Sequence, residues 1–131
     1  TGDNNVAVGH AALVANTTAS NNTAVGKSAL AANTTGVSNT AVGKDALKTN
    51  TTADSNTAVG YQSGYSNTTG STNTFIGEQS GFWNTTGSSN TALGSDAYAG
   101  SNTATGSNNT AVGRLALTAN TTGATNTAVG R

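Results

Sequence analysis

A 131-residue chain with zero net charge and 8% charged residues gives no electrostatic reason to expect nucleic acid or an anionic membrane as partner. Asn and Thr supply 44 residues and Gly 17, whereas Leu, Ile, Val and Phe together supply 18, too few for a thick apolar core that offsets backbone ordering. Disorder of the usual kind is disfavoured too, because it comes with high net charge; some other source of order is needed.

The chain opens in mid-repeat, since Thr1 to Gly9 aligns with Thr35 to Gly43, and it closes just after a motif at Gly130-Arg131. It therefore reads as one repeat domain over 1–131, a piece of a longer fibre whose targeting signals lie elsewhere. No Cys is present to report on redox compartment, and no run reaches the ~18 apolar residues of a membrane helix. No membrane insertion is expected of this segment.

Along the chain, Asn-Thr-Ala-Val-Gly begins at Asn22, Asn39, Asn56, Asn109 and Asn126, with variants at Asn5, Asn73 and Asn90. The spacing is 17 residues, except for a 19-residue unit over 90–108. Asn-Thr-Thr recurs eleven residues into most units, at Asn16, Asn33, Asn50, Asn67, Asn84 and Asn120. Repetition at constant spacing is the signature of a solenoid. Asn, Thr and recurrent Gly exclude helix and break each unit into short stretches with polar corners. The expected fold is all-β, a parallel β-solenoid of about seven 17-residue coils stacked at ~4.8 Å. The Asn-Thr-Thr asparagines then form a ladder of amides bonded from coil to coil. The 19-residue unit should appear as a local bulge or shifted corner.

Two columns are expected in the core. One holds Val8, Val25, Val42, Val59, Ile76, Leu93, Val112 and Val129; the other holds Leu13, Leu30, Leu47, Tyr98 and Leu117. A position that is always Ala or Ser, from Ala12 to Ala116, marks a tight approach. Where Leu gives way to Gly64 or Gly81, an aromatic residue follows, Tyr65 or Phe82, and the ring is expected to fill the vacated slot. Ala24 and Val25 lie on opposite faces of one strand, so both faces need cover; one cover is the coil interior and the other a neighbouring subunit.

The segment Asn90-Thr-Ala-Leu-Gly94-Ser-Asp-Ala97-Tyr-Ala99-Gly100-Ser-Asn102-Thr-Ala-Thr-Gly106 resembles the YadA-like head repeat of trimeric autotransporter adhesins. The other units are similar to longer repeats of phage tail-fibre and bacterial surface proteins. The resemblance implies a left-handed β-roll, a homotrimer packed through apolar columns, and a place on a cell surface or virion fibre.

No catalytic constellation is legible, so the chain reads as a structural protein and not an enzyme, with no cofactor. His10 is the only His and shares a column with Lys27, Lys44, Arg114 and Arg131; that pattern is a solvated edge, with attraction to anionic glycans as the sharper alternative. Asp45 and Asp96 share a column, but three coils separate them by roughly 14 Å, too far to share a metal ion. Trp83 stands at a corner, where an exposed ring could contact carbohydrate. Asn16, Asn21, Asn33, Asn50, Asn67, Asn84, Asn108 and Asn120 each begin Asn-x-Thr without Pro and are candidate glycosylation sites. Against this, Asn-Thr-Thr makes a good turn and ladder on its own.

The function expected is a rigid spacer or adhesive fibre module outside the cell, with glycans or a host-surface receptor as partner. Alternatives are a filament carrying sugars on its Asn-Thr-Thr corners, or a solenoid whose paired Thr columns, such as Thr17/Thr18 and Thr34/Thr35, bind ice. If the Leu column is core, Leu30→Asp or Leu47→Asp should lower the melting temperature by several degrees. An unchanged melt would remove that column from the core.

Overall fold

A computed structural model describes residues 2–131. Its strands are β1 (Val6–Val8), β2 (Thr23–Val25), β3 (Thr40–Val42), β4 (Thr57–Val59), β5 (Thr74–Ile76), β6 (Thr91–Leu93), β7 (Thr110–Val112) and β8 (Thr127–Val129). All eight form one parallel sheet in chain order. Equivalent residues pair throughout, Ala24 with Ala41 and Ala41 with Ala58, and the register carries across the longer unit, where Ala92 pairs with Ala111. The protein is thus an all-β solenoid of about seven coils.

Each strand is short because only the Thr-Ala-Val stretch combines extended backbone with β-branched residues. The Gly that follows ends it. At Gly26 (φ 133°) a Cβ would run into the carbonyl of Gly43 in the next coil, so coils can approach here only over glycine. At the corner that follows, the chain turns through two left-handed residues, such as Ser28 (φ 57°) and Leu30 (φ 50°), or Asp45 (φ 59°) and Leu47 (φ 47°). A bulky residue in this region is strained by roughly 1–3 kcal/mol, and only burial justifies its retention. Leu30, Leu47 and Tyr98 are 0% exposed, and Leu117 packs partly buried against the core. The Leu column is core, as expected.

The Val column is not. The middle residue of each strand faces inward: Ala24, Ala41, Ala58, Phe75, Ala92 and Ala111 are 0% exposed. Val42, Val59, Ile76 and Leu93 are exposed, and Val25 and Val112 are half-buried. The reason is volume. The Leu side chain crosses the narrow coil and leaves room for only a methyl on the facing strand, so the larger strand residue turns out.

The aromatic exchange also differs from expectation. A Cβ on Gly64 or Gly81 would meet the ring of Phe75. The slot vacated by Leu is therefore filled from the opposite wall, by Phe75 in a column otherwise held by Ala. Gly64 (φ 61°) and Gly81 (φ 64°) keep the left-handed turn of the leucines they replace. Tyr65 and Phe82 consequently point outward, half-buried, like Lys48 in the coil before. The small column is small as expected, and its two serines are buried and satisfied: Ser63 Oγ donates to the Phe75 carbonyl (2.8 Å) and Ser80 Oγ to that of Ala92 (3.0 Å).

Phe75→Ala should therefore open a cavity between two glycines and cost about 3–5 kcal/mol. Val59→Ser, on the outer face of the same sheet, should change the stability of the isolated chain by under about 0.5 kcal/mol. Denaturant unfolding of the two variants checks both. Equal losses would put Val59 back in the core.

Candidate binding surfaces and the asparagine ladders

The expected asparagine ladder exists and is internal. Asn33, Asn50, Asn67 and Asn84 are 0% exposed. Asn50 Nδ2 donates to Asn33 Oδ1 (3.0 Å), Asn67 to Asn50 (2.9 Å) and Asn84 to Asn67 (2.9 Å). Each Nδ2 also donates to the carbonyl three residues on, at Gly36, Ala53, Gly70 or Gly87. The nitrogen that would carry a glycan is thus buried in all four, with both its protons engaged at Asn50, Asn67 and Asn84 and one at Asn33. These four asparagines are corrected from candidate glycosylation sites to structural rungs. Asn16 and Asn120, towards the ends, are partly buried, and their amides donate to Ala19 and Gly123. Only Asn21 (φ 62°) and Asn108 (φ 60°) stand exposed among the candidates, both in left-handed turns.

A second ladder was not legible as such. The Asn that opens each motif is buried at Asn22, Asn39, Asn56, Asn73, Asn90 and Asn109. Its Oδ1 accepts from the backbone N–H of the next rung, at 2.9 Å from Asn39 to Asn22 and from Asn56 to Asn39. Its Nδ2 reaches across the coil, Asn22 to the Gly36 carbonyl (2.9 Å) and Asn73 to that of Gly87 (2.9 Å). The strict recurrence of this Asn immediately before the strand was the available signal.

The longer unit breaks the first ladder. Ala104, buried, pairs with Asn84 in an isolated parallel bridge, and Asn84 Oδ1 is left without a protein partner among the described residues. The extra length is taken up at Ser101, Asn102 and Thr103, all exposed: a shifted corner, as expected. Tyr98 substitutes for the missing amide. Its hydroxyl donates to the Gly106 carbonyl (2.8 Å), which also accepts from Asn90 Nδ2 (2.9 Å). Burial pushes the Tyr98 pKa above 10.0, and the hydrogen bond from Asn109 works against that shift.

Outside, the aromatic residues line one corner. Tyr65 and Phe82 stack from coil to coil, centroids 5.0 Å apart and planes 5° apart. Trp83 is turned out of that stack by 77° against Phe82, and is 39% exposed. Lys48 Nζ lies 5.4 Å from the Tyr65 ring and 3.3 Å from Asp45 Oδ1; the Asp45 hydrogen bond leads the effects that raise the Lys48 pKa. The cationic edge is interrupted midway by Tyr61, whose ring lies 5.1 Å from Lys44 Nζ. Among the described residues there is no enclosed pocket and no group of three acidic, His or Cys side chains within reach of one ion. No helix is long and apolar enough to cross a membrane. The chain matches no protein family, no curated protein and no solved structure.

Tyr98→Phe should cost about 1 kcal/mol, because Gly106 keeps its second donor. A raised folded-state pKa means the neutral hydroxyl stabilises the fold fully below pH ~10, and that contribution is lost as pH climbs through the folded value. The variant should therefore lose stability less steeply than the parent in alkaline titrations above pH ~10. Parallel curves would assign the alkaline loss to other groups.

Proposed function

We propose that the chain is a rigid, non-catalytic module of an extracellular fibre, a spacer or display stalk on a cell surface or virion tail, working as a homotrimer. The observation that carries this is the aliphatic stripe on the outer face of the sheet. Val8, Val42, Val59, Ile76, Leu93 and Val129 are all exposed, and together they run the length of the stack. Parallel strands are normally covered on both faces, and contiguous exposed apolar surface marks an interaction site. Within one chain only the inner face is covered. Copies of the same stripe, repeating at the same ~4.8 Å step, match each other in register and supply the outer cover.

The eight strands give a stack roughly 34 Å long at that step, and whole-coil repetition makes length the adjustable quantity. A module of this kind sets distance and presents side chains. The Trp83 corner, whose backbone bonds to Ala99 and Ala104 on either side of the exposed Asn102 and Thr103, is the surface it offers to glycans or a host receptor.

Mass in solution tests the reading. The chain is 12.7 kDa, and a native mass near three chains is expected. Val42→Lys with Val59→Lys should give a monomer with an unchanged β-sheet circular dichroism spectrum, since a charge on this face is harmless in the monomer and costly in the trimer. A parent protein that stays monomeric at high concentration would overturn self-association through the stripe.

A further inference from the structure

The two threonines of each Asn-Thr-Thr corner have different fates. The first is part of the fold: the hydroxyls of Thr17, Thr34, Thr51, Thr68 and Thr85 donate to carbonyls of the next coil at 3.0–3.3 Å. The second makes no side-chain hydrogen bond among the described residues. Thr18, Thr35, Thr52, Thr69, Thr86, Thr105 and Thr122 are exposed in all seven coils, and none has a positive φ that would restrict its identity. Nothing in the fold requires Thr there. Two other outward columns drift freely: the edge column reads His10, Lys27, Lys44, Tyr61, Glu78, Ser95, Arg114, and the corner column Val14, Ala31, Lys48, Tyr65, Phe82, Ala99, Thr118. A residue kept through seven coils without a role inside the molecule is kept for something outside it.

The surface supplies a second reason. Soluble globular domains average about 25% charged residues, whereas this chain has 8% and no net charge. Its hydration must come from elsewhere. The asparagines of the same corners cannot provide it, because their amide nitrogens are buried and bonded inside.

We propose that the second threonine of each corner is the attachment point of an O-linked sugar, giving a continuous row of glycans along one edge of the stack. The threonine Oγ attacks the anomeric carbon of a sugar carried on a phosphate, in the site of a separate glycosyltransferase. The new bond is Oγ–C1, and the bond from C1 to the phosphate oxygen breaks. Its electron pair leaves with the phosphate, and the hydroxyl proton passes to a base of the transferase. Neighbouring acceptors lie ~4.8 Å apart, so the sugars project side by side away from the sheet and leave the Val stripe free. The inference takes its extracellular setting from the fibre reading but rests on the corner threonines and does not need the trimer.

The test is site mapping on the protein isolated from its natural source, by electron-transfer fragmentation and intact mass. The expected result is a mass above the polypeptide by whole sugar residues. The modified residues should be Thr18, Thr35, Thr52, Thr69, Thr86, Thr105 and Thr122, with the sugars released by alkaline β-elimination and not by an asparagine amidase. In the native host, Thr→Val at these seven positions should abolish that mass increment with the circular dichroism unchanged, and Thr→Ser should restore it. An unmodified native mass overturns the proposal, as do sugars confined to Asn or to the first Thr. Chain association, measured separately after sugar release, reports on the fibre reading alone.

Discussion

The fold depends on a carbonyl that, in five of the seven coils, accepts two amides. The Gly36 carbonyl takes Nδ2 of both Asn22 and Asn33, and the Gly87 carbonyl takes Nδ2 of both Asn73 and Asn84. The two ladders thereby meet inside the coil and tie its strand to its far corner. This explains how a chain with 18 large aliphatic and Phe residues can order at all. Each such bond contributes only about 1 kcal/mol net, but a buried amide left unpaired costs more than that. Any register other than the observed one leaves many amides unpaired, so the ladders act more by excluding alternatives than by raw strength. The residue at the shared carbonyl is always small: Ala19 and Ala53 serve as well as glycine, and at Gly36 a Cβ would collide with Asn33 Oδ1 and with the Ala53 carbonyl.

Apolar packing fills what the amides leave. The volume is fixed for each cross-section, not for each column. Leu facing Ala, and Gly facing Phe, are two solutions to one constraint, and Phe75 serves two coils at once by sitting against Gly64 and Gly81. Tyr98 is a third solution, a ring that fills the Leu slot and whose hydroxyl performs the duty of the absent Asn. The left-handed backbone at the Leu position fits this pattern: Gly relieves strain there and gives up volume, which another wall must return.

Period, coil count, the Leu column, the small column and one amide ladder were legible because each depends only on spacing. The inward face of the strand was not. In a three-residue strand, Ala24 and Val25 are both apolar, and period two separates them without saying which faces in. Size suggests Val, yet the Leu from the far corner has already taken the space. The second ladder was hidden for a related reason: Asn22 abuts a strand and reads as a turn residue until the coil closes and brings it opposite Gly36. The exchange of Phe75 for Leu spans two coils, the ring meeting Gly81 of its own unit and Gly64 of the unit before. It runs across the coil between walls that spacing alone does not set opposite each other. Glycosylation at Asn33, Asn50, Asn67 or Asn84 failed by the same logic, since a sequon states what a side chain could accept and not where the fold puts it.

Irregularity in this protein is confined. All six aromatic residues lie between Tyr61 and Tyr98, and the longer unit follows within the same stretch. In a stack where each coil touches only its neighbours, a local exchange need not propagate. The pairing of β6 with β7 keeps the register of every other pair across the two extra residues. The ladder defect is equally local: it leaves Asn84 Oδ1 unpartnered, while the second ladder runs through unbroken from Asn90 to Asn109 (2.9 Å). Two ladders instead of one are what make this possible. While one holds the register, the other can be interrupted, and the interruption is where an exposed loop and an outward Trp can be placed without unfolding the coils on either side. The regular coils supply length and a uniform face, and the tolerated defect gives the stack a single distinct position along it.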